Sequence, residues 1–263
     1  MQNWHAQSDP MAEELLYDSE AMRRFAGIEF GGDRISDETT ILNFRHLLER
    51  YGLTQAISAD VNAHLADKGI ALRSGALVDA TIINARSSTK SKADARVPEM
   101  SSTKKGNDRY SGMKAHIGVD ADSGVTHSLE TSTAKLHDGQ VWDDLLHGEE
   151  ISGWADKAYV STKREEAFQE LGRVRGVMRK APKGDDLYPL DVQANRIIAM
   201  VRARVEHPFR VVKRQFGHVK TFYRGLAKNR VQFFALFALG NLFLMRRGLM
   251  TWGRACPKSP KPP

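Results

Sequence analysis

Apolar positions along this chain change period twice. Roughly the first 70 residues carry them at helical spacing, the middle carries short alternating or continuous runs, and the last third returns to helical spacing. In "ISDETTILNFRHLLERYG", Ser36 or Asp37 is placed to cap a helix. Ile41, Phe44, Leu47, Leu48 and Tyr51 form its apolar face and Gly52 closes it. "TQAISADVNAHLADKG" repeats the design, with Ile57, Val61 and Leu65 four residues apart and Gly69 as the stop. "GALVDATIIN" is different: Val78, Ile82 and Ile83 are β-branched, turn residues flank them, and a buried strand is predicted. Alternation through Ala115–Val119, the turn "DADSG" and the run from Val125 to Leu129 predict a hairpin over 113–130. "ISGWADKAY" predicts a short strand ending at Asp156, "EAFQELG" a helix and "RVRGVMRK" another strand. A long helix is expected from Leu190 to His218, with Ile197, Met200, Val201, Val205, Phe209, Val212 and Phe216 on its core side. An apolar helix over 229–248 follows. Together these predict an α/β fold, a mixed sheet flanked by helices behind a helical N-terminal region.

Residues 85–111 interrupt the pattern. The stretch "ARSSTKSKADARVPEMSSTKKGNDRYS" is rich in Ser and Lys and nearly devoid of apolar residues, so a mobile basic loop is predicted. Loops of that length inside a domain usually serve function, here as a basic flap able to close on an anionic partner. The organisation expected is a helical region over 1–72, an α/β domain over 73–250 and a disordered tail over 251–263.

Charge sharpens this division. The net charge is +7, yet residues 1–78 hold seven Lys/Arg against twelve Asp/Glu, while residues after 156 hold 23 against seven. A second half this basic calls for a polyanionic partner, and nucleic acid is the default. The acidic N-terminal half makes its helix pair a better packing unit than a helix-turn-helix reader of DNA. The lone Cys256 excludes an internal disulfide and a Cys-based zinc site. The apolar run 231–245 is too short to span a bilayer and contains Gln232 and Asn241, which predicts a buried helix, no membrane and a cytoplasmic protein.

Three acids stand out. An ionised Asp79 on a buried strand is costly unless something offsets it. Asp156 stands at the end of another strand. Glu206 is the only acid between Asp191 and the C-terminus, amid Arg202, Arg204, Arg210, Lys213 and Arg214. On a continuous helix Arg202, Glu206 and Lys213 share a face, and the bland alternative is a Glu206–Arg202 pair that merely supports the helix. Two strand-borne acids and one helical acid in a basic field are the parts of a two-metal phosphoryl-transfer site that also holds a DNA backbone.

The order and spacing of "AMRRFAGIEF", "DETTILNFRHLLE", "LVDATIINA", "KKGNDRYSGMKAHIGVDADSGVTHS", "TAKLHDG", "ADKAY", "RVEHPFRVVKRQFG" and "KNRVQFFALFALGNLFLMRR" resemble the DDE transposases of bacterial insertion sequences, specifically the IS5 group. The resemblance implies an RNase H-like catalytic domain with Asp79, Asp156 and Glu206 as catalytic residues and metal ligands. It implies two Mg²⁺ ions, with Mn²⁺ as substitute, and Asp79 neutralised by metal rather than by a salt bridge. It also implies nicking of double-stranded DNA at terminal inverted repeats, joining of the 3′-hydroxyl to target DNA, and a homodimer on DNA. Arg202, Lys213, Arg210, Arg214, Lys104, Lys105 and Lys114 are the expected DNA-binding residues. In the group's Tyr, Arg, Glu, Lys block the Tyr position is Ala199, Ala158 replaces a frequent Gly, and Pro208 is expected to kink or restart the helix. The chain is expected to begin part-way into the group's N-terminal helices.

Two alternatives frame this reading. "VDAT" also resembles haloacid dehalogenase-type phosphatases, but these need an acid where Thr81 stands. A truncated or domesticated DNA-binding protein without catalysis is the other. His116, His127, His137 and His207 have no zinc-motif spacing and suit hairpin or surface roles.

Overall fold

The computed structural model describes residues 1–29, 33–70, 74–85, 100–105 and 108–255. Four helices come first: α1 (Asp9–Asp18), α2 (Glu20–Ala26), α3 (Glu38–Arg50) and α4 (Leu53–Asp67). Asp37 caps α3, its Oδ1 accepting from Thr40 N at 2.7 Å, and Gly52 and Gly69 adopt the left-handed conformation at the two helix junctions. Leu65 of α4 is fully buried. The apolar face of α3 behaves otherwise, since Phe44, Leu47 and Tyr51 are exposed.

Six strands follow: β1 (Gly75–Asn84), β2 (Ser102–Lys105), β3 (Asp108–Asp120), β4 (Thr126–Thr133), β5 (Ser152–Ala155) and β6 (Val174–Val177). β3 lies antiparallel between β1 and β4, β2 pairs with the start of β3, and β1, β5 and β6 run parallel. The hairpin expected over 113–130 is β3–β4. The loop expected over 85–111 is corrected in part: Ser102–Lys105 and Asp108–Ser111 are paired strand, because the regular β3 gives a polar segment a ladder to join. Residues 86–99 of that loop lie outside the described residues.

β1 alternates its side chains between two cores. Leu77 and Ile83 join Met113, Ile117 and Val119 of β3 against Val205, Phe209, Val212 and Phe216, and against Phe233, Leu236 and Phe237 of the last helix. Val78 faces the opposite way, packing with Trp142, Leu145, Ala155, Tyr159, Phe168 and Val177 beside α5 (Thr162–Glu170). Between β5 and β6, Gly176 lies under Trp154, where an added Cβ would stand 2.0 Å from the indole. That close approach requires glycine.

The long helix expected from 190 to 218 is broken into pieces. α6 (Pro189–Arg202) ends in a 3₁₀ turn, Ala203–Val205, after which α7 (Glu206–Arg210) runs into a π-helical turn, Val211–Gln215. Pro208 explains the restart, because its ring collides with the carbonyl of residue 204 in a regular helix. Val205, Phe209, Val212 and Phe216 are buried as expected, but Ile197 and Met200 are exposed and Ile198 is buried in their place. α8 (Leu226–Ala255) extends the apolar run 231–245 at both ends and takes in residues 251–255 of the expected disordered tail. Residues 256–263, with Cys256, lie outside the described residues. By length and composition Leu226–Thr251 is sufficient to cross a membrane, so the argument from the short run is corrected. Its packing nonetheless identifies a core helix. Buried Asn241 donates to Thr126 O and to Asn62 Oδ1, each at 2.8 Å, and accepts from Thr126 N at 2.9 Å. These bonds lock α8 to β4 and α4 through a fully used amide.

Candidate active site

The carboxylates begin where β5 ends. Its parallel register with β1 runs Gly75 to Ser152, Ala76 to Gly153 and Leu77 to Trp154. Continuing that offset by two residues sets Asp79 level with Asp156 on the neighbouring strand, on the face of Leu77 and Trp154. Asp156 is the first residue past β5 and caps the 3₁₀ turn Lys157–Tyr159, accepting from Ala158 N at 2.8 Å. Glu206 opens α7 on the same side of the sheet and is exposed.

Asp79 accepts from Ala80 N at 2.8 Å and from Arg202 Nη2 at 3.2 Å. Burial pushes its carboxyl up to about 6. Arg202 and the Ala80 amide pull it down, while the charges of Asp156 and Glu206 raise it further. The expectation that Asp79 has no salt bridge is therefore corrected: Arg202 is its partner. Arg202 supports neither reading made from helix spacing, since it crosses to β1. Its Nη1 meets Met178 Sδ at 3.4 Å, and its buried Nε has no hydrogen-bond partner among the described residues.

Lys213 also reaches β1, donating to Thr81 Oγ1 at 2.5 Å and to Ile82 O at 3.2 Å. Arg210 and Arg214 are exposed on their helical turns. Lys104 and Lys105 lie on β2, away from the carboxylates in the ladder. Lys114, expected on DNA, is held internally by Asp138 Oδ1 at 2.8 Å and Leu136 O at 2.7 Å, on the sheet face opposite Leu77. The same cluster contains fully buried His116, whose Nε2 meets Ser132 Oγ at 2.7 Å and which burial lowers to about 4, leaving it neutral at pH 7. Thr81, Met178 and Asp138 carry contacts that local pattern did not single out.

Three carboxylates supply hard oxygen donors, the chemistry a divalent ion such as Mg²⁺ or Mn²⁺ requires. Among the described residues no three His, Cys, Asp or Glu side chains are gathered closely enough to hold an ion. Donor type fits and spacing is open.

The family model described as transposase DDE domain matches residues 70–242, and the one described as transposase domain (DUF772) matches residues 1–47. The chain belongs to the DDE transposases. No solved structure matches it. In this DDE transposase the longer match takes in every strand and ends inside α8, so it includes Asp79, Asp156 and Glu206. Its substrate is accordingly DNA.

Proposed function

We propose that this transposase is of the IS5 group, with an RNase H-like catalytic domain over 73–250 and an end-binding helical region over 1–72. It nicks insertion-sequence ends and joins the freed 3′-hydroxyl to target DNA. The observation that carries the reading is the parallel register of β1 and β5, which brings Asp79 and Asp156, just past the end of β5, to one edge of the sheet, with Glu206 opening α7 on the same face. The strand order β4–β3–β1–β5–β6, three antiparallel strands followed by two parallel ones, supports the RNase H-like assignment.

Asp79, Asp156 and Glu206 would hold two divalent ions. Bound there, such ions polarise the scissile phosphodiester and its attacking oxygen. The protein's own residues do the rest. Asp156 is preset by its bond to Ala158 N, Lys213 fixes the open part of β1, and exposed Arg210 and Arg214 meet phosphates. Two DNA ends call for a homodimer on DNA, and the chemistry suits a cytoplasmic, nucleoid-associated protein.

The test is a nicking and strand-transfer assay on duplexes carrying the ends of the element that encodes this chain, with Mg²⁺ or Mn²⁺. Metal-dependent 3′-hydroxyl nicks at those ends, abolished by Asp156→Ala, are the expected result. Binding without cutting in the wild type would instead identify a non-catalytic DNA-binding protein.

A further inference from the structure

Arg202 is an incompletely satisfied guanidinium. Its side chain is 15% exposed, so water supplies little. Of its five donors, one reaches a carboxylate oxygen at 3.2 Å, one faces a thioether, and Nε is buried without a partner among the described residues. A guanidinium in an optimal ion pair often takes a carboxylate with two parallel bonds, as Arg230 does with Glu130. Arg202 makes a single bond, to the one carboxylate of the candidate site that is most desolvated.

We propose that Arg202 is an internal counter-cation that holds Asp79 while the site is empty and turns to a DNA phosphate when a divalent ion takes its place. The inference rests on the metal-binding reading of Asp79, Asp156 and Glu206. A divalent ion and a guanidinium on the same carboxylate repel each other in a poorly solvated pocket, so the two compete for Asp79. Arg202 ends α6 where the helix gives way to a 3₁₀ turn, and its long side chain reorients without moving the backbone. A phosphate offers the several acceptor oxygens that Asp79 and Met178 do not. Metal and DNA then reinforce each other's binding, and by linkage the reinforcement is equal in both directions.

The full chain is titrated with Mn²⁺ by electron paramagnetic resonance, free and with a random-sequence duplex. Wild type is expected to bind Mn²⁺ about tenfold more tightly when the duplex is present, in the usual range of such couplings. Arg202→Gln is expected to bind Mn²⁺ about tenfold more tightly than wild type without DNA, and to gain nothing further from the duplex. Arg202→Lys, which keeps the charge, stays close to wild type in the DNA-free titration. Should Arg202→Gln not fold, Arg202→Met retains the packing of the stem and carries the same expectation. Equal or weaker Mn²⁺ binding by the uncharged variant in the DNA-free chain overturns the competition. Mn²⁺ binding that Asp156→Ala leaves unchanged places the ion elsewhere, which overturns the metal reading and this inference with it. Binding that depends on Asp156 but ignores Arg202 overturns this inference alone.

Discussion

The two halves of β1 share one face pattern yet live in different surroundings. Gly75–Val78 is completely buried, with β3 on one edge and β5 on the other. From Asp79 to Asn84 only Ile83 is buried, and the β5 edge is open because β5 stops at Ala155. Along that open half the contacts come from cations and loops. Arg202 meets Asp79, Lys213 meets Thr81 and Ile82, and Thr221 N closes the end on Asn84 O at 2.9 Å. The difference arises in the neighbour and in the polar residues Asp79, Thr81 and Asn84 that the second half carries. A short β5 converts the second half of a core strand into the floor of a site, and both strands place a carboxylate at that boundary.

The sharpest break between the halves comes at the boundary residue. Asp79→Asn is expected to lower metal-dependent nicking by at least roughly a thousandfold, some 4 kcal/mol of barrier, while leaving the fold intact. A product-gel rate assay and a circular dichroism spectrum check both parts. Two residues earlier the same strand should respond the opposite way. Leu77→Ala removes a fully buried side chain and is expected to cost about 2–5 kcal/mol in urea unfolding. A surviving folded fraction should still nick.

The boundary also has a pH signature. Asp79 is raised from 3.8 to about 6 in the folded chain, so its contribution is fully present below about pH 4 and is lost as pH rises through 6. In chelator, wild type should therefore lose about 2 kcal/mol relative to Asp79→Asn between pH 4 and pH 7. His116 titrates in both proteins, so its effect largely cancels in the difference. A difference that stays flat across that range would mean that Asp79 is better solvated than its burial indicates.

Much of this boundary is legible in the residues themselves. A β-branched run marked β1 and the apolar stretch around Trp154 marked β5, and an acid within the first and just past the second marked the place where they stop being pure core. Caps and glycines at Asp37, Gly52 and Gly69 marked the helix ends for local steric reasons. Partner choice was not legible. Arg202 lies four residues from Glu206 and 123 from Asp79, yet it bonds the distant acid, because sheet register and the break at Pro208 turn it toward β1. Lys114 was equally opaque: its charge suggested DNA, while Asp138, 24 residues on, takes it inside. β2 was hidden for a related reason, since a polar segment acquires strand geometry from the ladder offered by β3. Periodicity reports burial along one element, whereas ion pairs depend on how two elements meet.

Smaller changes should resolve the open half further. Thr81→Val removes the hydroxyl that receives Lys213 and should cost about 1 kcal/mol in unfolding, against the several expected at Leu77. Lys213→Met removes that bond together with the one to Ile82 O, so its cost should exceed that of Thr81→Val.

The smallest stability effects belong to Arg210 and Arg214, whose side chains are exposed beyond the floor of the site. Replacing either by Gln should change unfolding by less than about 0.5 kcal/mol. If they meet phosphates, each replacement lowers the slope of log affinity against log salt by about one, uniformly across DNA sequences. Lys114→Gln supplies the contrast. Its cation is already spent on Asp138, so the salt slope should stay unchanged while stability falls, leaving Asp138 without its partner. A salt slope that responds to Lys114 and not to Arg210 or Arg214 would move the DNA path to the other face of the sheet.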